Sequence, residues 1–137
     1  MFTALATAID ELEILVDEQE LLAALALQDR LNAKVALAVG ELDRADLWAV
    51  DGSVSMTAWL RVHAGMTQRD AMRLASSGRR LQDCPKTAEA WLTGVITGGQ
   101  VAVILANVTN ETLPLFQELI AHPALEKSVS SIPSILV

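Results

Sequence analysis

Residues 47–60 read LWAVDGSVSMTAWL, and this stretch decides how the rest of the chain is arranged. Two of the three tryptophans, Trp48 and Trp59, stand on either side of the dipeptide Asp51-Gly52. An Asp-Gly dipeptide tolerates left-handed backbone angles and marks a tight reversal of the chain. We expect a long helix to end before this turn, a short one to follow it, and the two indoles to be buried beside it.

The serines after the turn supply the start of the next helix. Ser53 and Ser55 can each accept a hydrogen bond from a backbone N–H and so cap a helix. The predicted corner therefore comprises Trp48, Asp51, Gly52, Ser55 and Trp59.

Apolar residues at intervals of three and four predict helices along most of the chain. The predicted helices span residues 2–16, 18–44, 56–64, 66–82, 86–92 and 97–108, with a last one from Asn110. No strand pattern is present. The sequence thus predicts an all-α compact bundle of six to seven helices, with one long central helix and a helix-turn-helix-like corner. We expect a single domain over residues 1–120 and a C-terminal tail over 121–137 whose order the sequence does not decide.

The long helix is apolar on two sides, which is typical of a helix sandwiched between partners. One side carries mostly large residues: Leu21, Ala24, Leu27, Leu31, Val35, Ala38 and Leu42. The other side carries mostly small ones: Leu22, Ala26, Ala33, Ala36 and Gly40. The small-residue side can meet another helix of this chain or a second copy. In the helix over 66–82, Gly78 lowers helix stability, and a close helix crossing there would account for it.

Composition restricts the class of protein. Hydrophobic residues make up 52% of the 137 residues, so part of the apolar surface is expected to lie against another chain or domain. Cys84 is the only cysteine, which excludes an intramolecular disulfide and favours a cytoplasmic location.

The uncharged stretch 90–110 is too polar to cross a membrane. The histidines form no metal-ligand pairs, no Ser–His–acid arrangement is visible, and we expect neither cofactor nor catalysis.

The charges are unevenly distributed. The net charge is −7, and residues 1–29 hold seven acidic side chains without a lysine or arginine. Residues 61–86 hold six basic side chains against two acidic ones. In a helix-turn-helix, the second helix enters the major groove with its N-terminal end. On that reading Gln68 and Arg69 reach base edges, and the phosphate contacts come from Arg73, Arg79 and Arg80.

Residues spread over most of the chain match the pattern of a known family. The residues that carry it are Leu42-Asp-Arg44, Leu47-Trp48, Asp51-Gly52, Ser55, Trp59-Leu-Arg61, Gly65-Met-Thr67, Ala71, Leu74, Arg80-Leu81, Pro85-Lys-Thr87, Ala90, Gly94 and Ile96-Thr-Gly-Gly-Gln100-Val101. Over residues 20–108 the chain resembles the helical domain of unknown function that stands N-terminal to HNH-endonuclease modules in actinobacterial proteins of the 13E12-repeat type.

The resemblance implies a non-catalytic accessory module that acts beside a nuclease module, in cis or in trans. No catalytic residues are carried over, and a histidine-rich nuclease motif is not expected in this chain. Duplex DNA is the first expected partner. Two alternatives stay open: a homo-oligomerisation module that uses the small-residue side of the long helix, and an inactive, truncated remnant.

Overall fold

A computed structural model of the chain describes residues 1–107 and shows an all-α fold, as predicted. Six α-helices and one short 3₁₀ helix lie within these residues. Their bounds are α1 Thr3–Glu11, α2 Glu18–Arg44, the 3₁₀ helix Leu47–Asp51, α3 Met56–Ala64, α4 Gln68–Leu81, α5 Pro85–Leu92 and α6 Gly98–Asn107. The predicted helix from Asn110, the domain boundary at 120 and the tail over 121–137 lie outside the described residues.

The first helix is shorter than the sequence predicts. It ends at Glu11, and Leu12 already has the extended ψ angle of 127°. No residue of α1 is buried. A short helix gains most of its stability from packing an apolar face, so α1 lacks the tertiary support that would extend it to Val16.

The side of α2 that packs inside the domain is the one with small residues. Its buried residues are Ala33, Ala36, Val39 and Gly40. Three large residues of the opposite side, Leu27, Leu31 and Val35, are exposed instead. The expectation that the small-residue side mediates oligomerisation is therefore wrong for the part formed by Ala33, Ala36 and Gly40. Those positions let α4 approach the α2 backbone, so they are already occupied within the chain.

The crossing of α2 and α4 centres on two glycines. A Cβ placed on Gly78 would lie 2.8 Å from both the Ala36 carbonyl oxygen and the Gly40 nitrogen. A Cβ placed on Gly40 would lie 2.2 Å from the Gly78 carbonyl oxygen. The backbones are thus nearly in contact, which confirms the predicted close crossing at Gly78.

Two groups of buried residues form the core, one on each side of this crossing. The first joins α2 to the end of α4, to α5 and to α6: Ala33, Ala36, Leu81, Cys84, Ala88, Ala90, Trp91, Ile96, Val101, Ile104 and Leu105. The second joins α2 to α3 and α4: Val39, Met56, Leu60, Ala71 and Ala75. Leu74 packs against both groups, so α2 and α4 are the common framework. Between Met1 and Asn107, no helix is long and apolar enough to cross a membrane.

The tryptophans are arranged differently from the prediction. Trp91 is the buried indole, with 7% of its surface exposed. Trp48 and Trp59 are only half-buried and pack at the edge of the second core group. Both indoles contact that core beside the turn, but neither is enclosed, so the prediction that Trp48 and Trp59 are buried is wrong.

Candidate nucleic-acid interface on α4

The helix-turn-helix-like corner is built from local signals that the sequence shows directly. Ser55 Oγ accepts a hydrogen bond from the Ala58 N–H at 3.1 Å and caps α3. Gly65 ends α3 with a left-handed φ of 66°. Thr67 Oγ1 accepts from the Asp70 N–H at 3.1 Å and caps α4. A three-residue connection with a glycine therefore separates two capped helices, as in helix-turn-helix motifs.

The start of α4 is the accessible part of this corner. Gln68, Arg69 and Arg73 are exposed, while Ala71 and Ala75 on the opposite side are buried. Among residues 1–107, neither Arg69 nor Arg73 forms an ion pair with a carboxylate. The two arginines are four residues apart, so they lie on one side of the helix about 6 Å apart along its axis.

The remaining two arginines of the prediction differ from each other. Arg80 is exposed and, at 100° per residue, lies on the same side of α4 as Arg69 and Arg73. Arg79 lies a third of a turn away and reaches α2. Its Nε donates to Asp43 Oδ2 at 3.1 Å, and its terminal nitrogen is 3.0 Å from the same oxygen.

Asp43 connects this ion pair to the corner. Its second oxygen, Oδ1, accepts the Trp48 indole N–H at 3.1 Å. One carboxylate thus joins α2, the 3₁₀ helix and α4, and Arg79 serves this contact. We therefore leave Arg79 out of the interface. Sequence reasoning missed Asp43 because its arginine partner is 36 residues away.

A second polar group lies on the other side of the turn. Gly52 has a left-handed φ of 87°, as the Asp-Gly dipeptide predicts. The Asp51 carboxylate contacts His63 Nε2 and accepts hydrogen bonds from the Ser53 hydroxyl at 3.0 Å and the Ser53 N–H at 3.3 Å. The His63 ring lies 4.8 Å from that of Trp59, centroid to centroid. Ser53 therefore orders the turn, and Ser55 is the helix cap.

These contacts change the acidity of Asp51. Loss of hydration raises the pKa of the Asp51 carboxyl, but the hydrogen bonds from Ser53 and the nearby His63 outweigh it and hold the pKa below its usual value near 3.8. The arrangement does not activate a nucleophile, because the Ser53 hydroxyl donates to the carboxylate and has no hydrogen bond to the histidine. The contacts among Asp51, Ser53 and His63 therefore serve to hold the turn against α3.

The N-terminus of α6 is bound by a carboxylate from another helix of the same chain. Asp29 of α2 accepts the Gly98 N–H at 3.1 Å and 3.0 Å through its two oxygens, and the Trp91 indole N–H at 3.1 Å. Thr97 and Gln100 form a capping box at the start of α6: the Thr97 N–H donates to Gln100 Oε1 at 2.9 Å, and the Gln100 N–H donates to Thr97 Oγ1 at 3.3 Å. A helix N-terminus favours negative charge, and here the protein supplies that charge itself.

The lone cysteine is a core residue. Cys84 is 4% exposed and belongs to the first core group. Burial raises the pKa of its thiol, with a further contribution from Asp83 that outweighs the opposite effect of Arg80. A protonated, enclosed thiol is a weak nucleophile, so Cys84 is a packing residue.

Fold and surface together define a small all-α domain with a helix-turn-helix-like corner and a cationic helix start. A family model described as a domain of unknown function, DUF222, matches residues 18–118. Because the match covers most of the chain, the protein belongs to this family. No curated protein and no solved structure matches the chain.

Proposed function

We propose that this domain is a non-catalytic DNA-binding module, accessory to HNH-endonuclease-like proteins, and that it contacts duplex DNA through the start of α4. The observation that carries the proposal is the placement of Arg69 and Arg73. Both are exposed, neither is paired with a carboxylate among residues 1–107, and both stand on a rigid helix whose other side is packed against α2.

The spacing of these arginines suits a nucleic acid. Their separation of about 6 Å along the axis is short enough for both guanidinium groups to contact phosphates of one DNA strand. Gln68 precedes them at the end of the helix that would enter the groove first, where side chains reach base edges. Arg80 extends the same side toward the C-terminal end of α4. The net charge of −7 opposes binding overall, so we expect modest affinity that depends strongly on salt.

The test is the salt dependence of binding to a labelled duplex of mixed sequence, followed by fluorescence anisotropy. For each phosphate contact that is lost, the slope of log K against log salt should fall by about one unit. We therefore expect Arg69→Ala combined with Arg73→Ala to reduce the slope by about two units.

The control removes the same charge from another surface. Arg30→Ala combined with Arg44→Ala takes two exposed cations from α2 and should leave the slope within experimental error. If wild-type protein does not bind the duplex at low salt, or if the two double variants behave alike, DNA binding through α4 is refuted.

A second candidate function, self-association, is favoured by a separate observation. Every large apolar side chain from Met1 to Val35 is more than 40% exposed. An accumulation of large exposed apolar side chains is typical of an interaction site. A chain that neither binds DNA nor associates would instead support the remaining alternative, an inactive remnant.

A further inference from the structure

The first half of α2 contains no buried residue. The buried residues of the helix begin only at Ala33, although the helix starts at Glu18. On the side of α2 that faces away from these buried residues, Leu27, Leu31 and Val35 are exposed by 62%, 41% and 42%. We call these three residues the α2 stripe.

We infer that the α2 stripe is the contact surface of a symmetric dimer, in which α2 packs antiparallel against α2 of a second copy. The inference deepens the second candidate function, self-association, and does not depend on DNA binding. Two features of the α2 stripe support this dimer: the distribution of charge and the distribution of side-chain size along it.

The charges along α2 are complementary to those of an antiparallel copy. Glu18 and Glu20 lie in the first turn of the helix, and no lysine or arginine precedes Arg30. Further along, Lys34 is exposed beside the stripe. If the twofold axis passes at Leu27, Glu20 and Lys34 are each seven residues from it. Glu20 of each copy then faces Lys34 of the other, and the dimer has two equivalent ion pairs.

Side-chain size fits the same register. Leu27 meets its own counterpart at the axis, and Leu31 lies over the small residues Ala23 and Ala24 of the second copy. Large residues over small ones allow helices to interlock at the usual axial separation of about 8–10 Å. A parallel arrangement would instead align the acidic N-terminal turns of the two copies, and like charges there repel.

The first experiment is a charge exchange, measured by sedimentation equilibrium over a range of protein concentrations. Glu20→Lys and Lys34→Glu alone should each weaken the dimer about tenfold or more, because each places like charges opposite one another twice. The double variant with both changes should restore the wild-type dissociation constant within about threefold. Val62→Glu changes an apolar residue that is 75% exposed on α3 and should have no effect.

The second experiment tests the axis directly by disulfide formation. Leu27→Cys should cross-link to its own counterpart under mild oxidation, since the two positions coincide at the axis. Glu20→Cys alone should not, because its two copies are about 21 Å apart in this register. A mixture of Glu20→Cys and Lys34→Cys proteins should cross-link. The native Cys84 is buried and does not interfere.

The outcomes of these experiments test the antiparallel dimer separately from self-association itself. A wild-type chain that stays monomeric at every concentration refutes both self-association and the antiparallel dimer. If the dimer is stable, its dissociation constant is unchanged by the charge exchanges and Leu27→Cys does not cross-link, the proposed geometry is refuted. Self-association would then occur through another surface. Restoration by the double variant together with cross-linking at Leu27→Cys supports the inference.

Discussion

Replacement of Gly78 by alanine tests the central packing feature of the fold. The added methyl group would point into the crossing with α2, 2.8 Å from the carbonyl oxygen of Ala36 and 2.8 Å from the nitrogen of Gly40. Both neighbours are backbone atoms of a long helix, which cannot rotate away as a flexible side chain can. The two helices must therefore move apart, and that movement loosens both core groups.

Two opposing effects determine how much Gly78→Ala changes the free energy of unfolding. Alanine stabilises a helix interior by about 1 kcal/mol relative to glycine. Overpacking a tight site typically costs about 1–3 kcal/mol, and contact with backbone places this site near the upper end. The expected net loss for Gly78→Ala is about 2 kcal/mol, which for a chain of this size lowers the melting temperature by about 6–10 °C.

The assay is thermal and urea denaturation followed by far-ultraviolet circular dichroism. Gly99→Ala in α6 is the matched control, since its added methyl group meets only Thr97 Oγ1 at an ordinary 3.7 Å. This control should be neutral or stabilising by up to about 1 kcal/mol. A Gly78→Ala variant as stable as the wild type would refute the predicted clash, because the gain in helix propensity would then outweigh the cost of overpacking.

Two further predictions concern the polar contacts. Asp29→Ala removes the acceptor for the Gly98 N–H and the Trp91 indole N–H. It should lower the free energy of unfolding, measured by urea titration, by about 2–3 kcal/mol. The control Asp10→Ala, on exposed α1, should change this free energy by less than about 0.5 kcal/mol. Equal effects would contradict the role of Asp29. Ser53→Ala should raise the pKa of Asp51 toward its usual value in a carboxyl NMR titration. Because folding lowers this pKa, the stabilisation is present above pH 3.8 and is lost as the pH falls below it. An unchanged titration in the variant would rule out the Ser53 hydroxyl as a cause.

The sequence was sufficient wherever the decisive interaction lies within one turn of the backbone. Ser55 is recognisable from the sequence as a candidate cap, and in the structure it bonds an N–H three residues ahead, as Thr67 does at the start of α4. Gly65 is recognisable as a helix end because glycine, lacking a Cβ, reaches a φ of 66° at no steric cost. The 27-residue span of α2 followed from periodicity in the same way. Local geometry and residue type are enough for such features.

The tertiary structure alone decided which side of α2 is buried and which arginines remain available. The sequence offers two apolar sides, and the small one is buried because only it lets the backbones of α2 and α4 meet at Gly40 and Gly78. Arg79 and Arg80 are neighbours in the sequence, yet Arg79 turns toward Asp43, 36 residues away. Contacts between distant residues depend on how whole helices are placed, and a single sequence carries no local pattern that records such a placement.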